Sequence, residues 1–211
     1  MEDDVNTLLN KITKLVVVLS ILVNLPTLIM ASTAVYNPQY GEGVLLQEEL
    51  RLTGDAYMES ASKLDSSTSV IYSLDDIPEG TDTLYVIAHG NSKGIMGWND
   101  EKGEVEKYTW CAVVRKASEA GVTTLIIDAC SSGSAIEAAK HVKLSSAITI
   151  YTSSDAGEPS TAQSGETSLF SQLWTEADGT YTASYDSYGR TINPQCEVVE
   201  PRNAQKNKKL A

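Results

Sequence analysis

The 211-residue sequence holds one phenylalanine, two histidines and three cysteines, and each shortage narrows its reading. Three cysteines are too few, and too odd a number, for a disulfide-stapled scaffold, so the core must come from apolar packing. Two histidines, placed as they are, form no ligand spacing for a catalytic metal. Basic residues are short as well: 16 Lys and Arg stand against 28 Asp and Glu, a formal net charge of -12. A surface of that sign repels a phosphate backbone, which argues against a nucleic-acid partner. The aromatic content is carried by ten tyrosines and three tryptophans, rings that pack while keeping a polar edge. The hydrophobic share of 42% is that of an ordinary globular chain, and the length fits one domain.

Residues 1–34 read as an address. Lys11 and Lys14 precede an apolar run from Leu15 to Ala31, interrupted by Asn24 and Pro26. The run is shorter than the roughly 20 residues of a membrane-spanning helix. Ser32-Thr33-Ala34 then offers an A-x-A-like cleavage site, with Ala31 as its competitor. This is the pattern of a secretory signal peptide; an uncleaved amino-terminal anchor, and with it a membrane, is the rival. Cleavage makes the product secreted, periplasmic or cell-surface. In such an oxidising compartment Cys111 and Cys196 are candidates for a disulfide, although Cys111 also fits the apolar face of a helix. Residues 201–211 carry Arg202, Lys206, Lys208 and Lys209 and no acid, a basic flexible tail. The folded domain is expected over residues 35–200.

That body alternates strands and helices. Val44 to Leu64 favours helix, with Gly54 as a break, and Ser69 to Leu74 is a short strand. Thr83 to Ala88 and Val122 to Ile127 are continuous apolar runs of the kind buried on both faces of a sheet. Between them, Gly90 to Gly103 is a loop or small hairpin, and Tyr108 to Ala120 has helical spacing that stops at Gly121. Ala135 to Val142 is a helix, Ala147 to Thr152 a strand, Ser153 to Gly165 a polar loop and Thr167 to Ala177 an amphipathic helix. The class is α/β, a mostly parallel sheet with helices on both faces.

In open α/β sheets reactive groups gather beyond the carboxyl ends of the strands. One apolar run ends in His89-Gly90, the other in Asp128-Ala129-Cys130-Ser131-Ser132-Gly133. A glycine after the histidine lets backbone approach a ligand closely. A thiol ahead of a helix meets a field that favours its thiolate. Thiolate and imidazole together are a minimal acyl-transfer site.

YVIAHG followed by LIIDACSSGS resembles the signature of caspase-like cysteine peptidases, the group of metacaspases, legumains, gingipains and caspases. AITIYTSSDAGEPS and GETSLFSQLWTEA are similar to the strand, loop and helix after the nucleophile in metacaspases. The resemblance implies a three-layer caspase-like fold and a protein or peptide substrate. It implies Cys130 as nucleophile and His89 as proton donor to the leaving amine. The main-chain N–H groups of Gly90 and Cys130 would form the oxyanion hole. It places Asp128 in a pocket for substrate Arg or Lys, with Asp155 lining the same pocket and Asn as a legumain-like alternative. The first strand and helix of that fold are hard to place in residues 35–68. Processing, where it occurs, would fall in the loop holding Lys102 and Lys107.

Three other readings compete. Gly90-Asn91-Ser92-Lys93-Gly94 is a literal G-x-S-x-G, with Asp128 and His141 following in α/β-hydrolase order; the glycine-rich continuation is poor material for the helix that motif requires. A catalytically silent caspase-like binding module is the second. A ligase or transpeptidase, in which an amine rather than water captures the same thioester, is the third; for Asp128 alone, a mere helix cap is the bland reading. No cofactor is expected; the acid pair Asp75-Asp76 offers calcium only a weak site.

Overall fold

The two apolar runs become the middle of a sheet. In the computed structural model they form β3 (Thr81–Ile87) and β7 (Thr124–Asp128), adjacent and parallel, in register from Thr83 opposite Thr124 to Ile87 opposite Asp128. The chain divides into two compact units, Met1–Met30 and Ala31–Ala211. The structure describes residues 32–38, 47–64, 67–99, 104–162, 165–176 and 193–202, all in the second unit.

The other elements are β1 (Ser32–Tyr36), α1 (Gln47–Leu64), β2 (Ser69–Ile71), a 3-10 turn (Leu74–Asp76), β4 (His89–Asn91), β5 (Gly94–Asn99), β6 (Glu104–Thr109), α2 (Trp110–Ala120), α3 (Ser134–Ala139), β8 (Ile148–Thr152), α4 (Leu169–Glu176) and β9 (Gln195–Val199). The main sheet has the order β2-β1-β3-β7-β8-β9, with β9 alone antiparallel to its neighbour. A second sheet, β4-β5-β6, is antiparallel.

Strand alternation sorts the core into two layers. Ala34, Tyr36, Leu84, Val86, Leu125 and Ile127 pack with Val113, Val114 and Ala117 of α2 and Ala135 of α3. Val35, Tyr85, Ile87 and Ile126, one residue out of phase, pack with Tyr57 of α1 and Phe170 and Trp174 of α4. Helices thus cover both faces, as expected. The helix ends follow local chemistry. The Thr109 hydroxyl accepts the Ala112 N–H at the start of α2, and Gly121 closes it in the left-handed region at φ 94°.

Four expectations need correction. The boundary drawn after residue 34 falls inside β1, whose Ala34, Val35 and Tyr36 are fully buried between β2 and β3. The small residues Ser32-Thr33-Ala34 are therefore the start of an interior strand, and the folded domain includes them. Gly54 does not interrupt α1, which buries Glu49, Thr53, Gly54, Tyr57 and Ala61 along one face. A Cβ at Gly54 would lie 1.9 Å from Asn37 Nδ2, so the glycine serves close packing. Cys111 and Cys196 are both free and exposed, so neither the disulfide nor an apolar-face role for Cys111 is found. Strand β9 was not expected from the sequence at all.

Residues 1–31, Lys102 and 203–211 of the tail lie outside the described residues. Among the described residues no helix is long and apolar enough to cross a membrane.

Candidate active site

The β3–β7 ladder runs one step past β3. The Ala88 N–H donates to the Asp128 carbonyl at 3.3 Å, so the chains diverge only at His89 on one side and Ala129-Cys130 on the other. His89 starts β4, opposite Met96 of β5. This hairpin is anchored to α2 by the Trp110 indole N–H, which donates to the Asn91 carbonyl at 2.9 Å. His89 and Cys130 are both half-buried, and both line one cavity of about 50 Å³. Its wall also includes Glu49, Thr53, Asp128, Ser160 and Ser168.

Cys130 sits in a tight turn. Ser131 after it has φ 60°, and among the described residues it is the one non-glycine with positive φ, a conformation that costs about 1–2 kcal/mol. The turn is held from outside. The Ser131 N–H donates to the Glu158 carbonyl at 2.6 Å and the Gly133 N–H to the Ser154 carbonyl at 2.9 Å. The Ala129 N–H donates to Ser153 Oγ at 3.2 Å, and the buried Ser132 and Ser154 hydroxyls lie 3.2 Å apart. A Cβ at Gly133 would lie 2.6 Å from the Ala156 nitrogen, which explains why Gly follows the serines of the Cys motif. Among the described residues nothing accepts the Cys130 N–H, so that donor is available to an oxyanion.

Gly90 lies directly on this turn. A Cβ there would meet the Cys130 carbonyl oxygen at 2.2 Å and the Ala129 Cβ at 3.1 Å. Gly90→Ala must push the Cys130 turn away from the His89 strand. A displacement near 1 Å costs about 100-fold in rate, so any reaction that needs both His89 and Cys130 is expected to slow by that order while circular dichroism stays native.

Asp128 is 3% exposed at the end of β7. Its carboxylate accepts the Tyr57 hydroxyl at 3.0 Å, the Ser160 hydroxyl at 2.9 Å and the Ser168 hydroxyl. Burial pushes its pKa up, against the downward pull of these donors. The Tyr57 phenol is pushed well up by its own burial and then by the Asp128 charge. Glu49, also buried, accepts the Gly165 N–H at 2.9 Å. Among the described residues no ion pair involves Asp128 or Glu49. Asp128 and Glu49 are therefore two buried acids on one cavity wall.

The structure brings His89, Gly90, Cys130 and Asp128 together, but not Asp155. Asp155 is absent from the cavity wall, and its Oδ1 takes the Ala156 N–H at 2.6 Å. Glu49 stands where a second acid was sought. Sequence reasoning missed it, along with Tyr57, Ser160 and Ser168, because α1 and the loop before α4 reach the site only through tertiary packing. The rival serine constellation is dispersed. Ser92 is exposed in the β4–β5 turn, with no helix after it, and His141 is exposed beyond α3. Asp75 is paired with Lys116, and among the described residues no group of three or more His, Cys, Asp or Glu is placed to hold a metal ion.

No protein-family model matches the chain, and no curated protein does. Among solved structures it is similar to caspase-1 from Spodoptera frugiperda, with a TM-score of 0.52 at 11% identity, over 80% of this chain and 88% of that one. The fold is therefore caspase-like: a six-stranded, mostly parallel sheet between helices.

Proposed function

We propose that the protein is a cysteine endopeptidase of the metacaspase, legumain and gingipain type, cleaving protein or peptide substrates after Arg or Lys, with Asn as the alternative. The observation that carries this reading is the meeting of His89 and Cys130, from neighbouring strand ends, on the wall of one cavity that also holds Asp128 and Glu49.

The Cys130 thiolate attacks the substrate carbonyl carbon, and the electron pair moves to its oxygen, held by the Gly90 and Cys130 N–H groups. Collapse breaks the C–N bond, forms a thioester and expels the amine, which takes its proton from His89. Water then adds with His89 as base, releasing the carboxylic acid and restoring the thiolate. The basic side chain of the substrate lies against Asp128 and Glu49. A panel of fluorogenic peptides differing only in the residue before the scissile bond tests this reading. Turnover is expected for Arg and Lys, and a clear preference for Asp would sink it.

Entry into the secretory pathway is part of the same proposal. A cut after Ala34 would leave β1 only Val35 and Tyr36, whereas a cut at the competing Ala31 keeps the strand whole. Ser32 is the latest mature amino terminus that leaves the strand whole.

A further inference from the structure

We infer that Ser160 is a positioning residue of the nucleophile: its hydroxyl, anchored on the buried Asp128, sets its main-chain N–H on the Cys130 sulfur and so holds that sulfur in its attacking position. The inference sharpens the peptidase reading of the same site, but its geometry and its test need no peptide substrate. The Ser160 N–H donates to Cys130 Sγ at 3.4 Å, and the Ser160 hydroxyl to Asp128 Oδ1 at 2.9 Å. One residue thus touches both the nucleophile and the pocket floor, from a segment that follows neither motif strand.

The segment is fixed on both sides of Ser160. The Glu158 carbonyl takes the Ser131 N–H, and the Glu158 N–H donates to the Asp155 carbonyl at 3.2 Å. Downstream, the Thr161 carbonyl accepts the Leu169 N–H at 2.9 Å, and Ala162 bridges Ser168. The Ser168 N–H donates to Thr53 Oγ1 at 2.8 Å, and its own hydroxyl goes to Asp128. Ser160 and Ser168 therefore clamp the loop onto the two oxygens of one carboxylate. Because Asp128 is buried, this anchor is well defended from water.

A donor held on the sulfur fixes where it points, and so how readily it reaches an electrophile. The helix after the turn cannot do this alone: α3 has six residues and starts at Ser134, and its capping residue Gly133 offers no side-chain bond. The other titratable groups around the thiol are His89 from β4, Asp128 from β7 and Glu49 from α1 on the cavity wall, with Asp155 and Glu158 on the loop itself. All of them remain unchanged in the variants compared below.

The test uses the chain with Cys111→Ser and Cys196→Ser, so that iodoacetamide reports Cys130 alone. The alkylation rate at one fixed pH is measured for this parent and for Ser160→Ala and Ser160→Thr added to it, with thermal unfolding of each. Ser160→Ala should slow alkylation by about tenfold, while Ser160→Thr, which keeps the hydroxyl, stays near the parent. A Ser160→Ala rate equal to the parent's overturns the inference, as does an equal loss in the Thr variant. Failure of the peptidase reading is seen separately, as a reactive Cys130 without turnover of any peptide in the unsubstituted protein.

Discussion

Replacing Cys130 by Ala should lower peptide hydrolysis by at least about 10,000-fold, since losing a nucleophile removes the covalent route and leaves only binding and the oxyanion donors. The cavity wall and the turn should survive, because the strain and the hydrogen bonds belong to Ser131, Ser132 and Gly133 rather than to the sulfur. Thermal unfolding is expected within a few degrees of the parent. Cys111→Ser and Cys196→Ser, at exposed and unpaired positions, should retain full turnover. The measurement is kcat/KM on one Arg peptide for the three variants. Activity persisting without Cys130 would remove the thiol from the mechanism.

Asp128→Asn should separate recognition from stability. On the proposed reading a basic substrate side chain loses its buried carboxylate partner, a change worth about 2 kcal/mol or more, which is at least about thirtyfold in kcat/KM. The loss should be smaller for an uncharged first-site residue. Stability should move the other way. Burial raises the Asp128 pKa in the fold, so its ionised form is less favoured in the folded chain than in the unfolded one. That cost is absent at pH values below the unfolded pKa and fully present above the folded pKa. The Asn variant does not bear it. Its melting temperature near pH 7 should match or exceed the parent's, and the gap should close as pH falls through the carboxylate range. Kinetics on paired Arg and Ala peptides, with melting curves from pH 4 to about 8, checks both halves.

The sequence displayed the middle of this molecule and concealed its edges. TLYVIA and VTTLII are apolar enough to be read as central strands, and they deliver His89 and Cys130 to neighbouring ends. Gly121 announced the end of α2 through a left-handed cap that its residue type favours. β1 was hidden because STAVY is small and follows an apolar run, so a leader's exit and an interior strand share one local pattern. β9 was hidden for a different reason: Cys196 and Val198 face solvent on the outermost strand, which blurs the hydrophobic signal. At the site, motif residues adjacent to strands were legible, whereas the second acid was not. Asp155 is nearer to the motif in sequence, but its carboxylate turns onto its own backbone. Glu49 arrives instead from α1, whose buried face carries it to the cavity because Tyr57 and Ala61 of the same face pack into the core. No periodicity in residues 47–64 distinguishes an acid bound for a cavity from one bound for water.

The buried Asp128 also links the occupant of the cavity to the integrity of the domain. A carboxyl group buried among neutral hydroxyls is costly to ionise. A cationic group entering the cavity neutralises that charge where no side chain of the described structure does. On the proposed reading, a product or inhibitor that ends in such a group and binds there would stabilise the fold by mass action, by about 2.7 kcal/mol at one hundred times its dissociation constant. Ligand capture and resistance to unfolding are two readings of one free energy, stored at the end of β7.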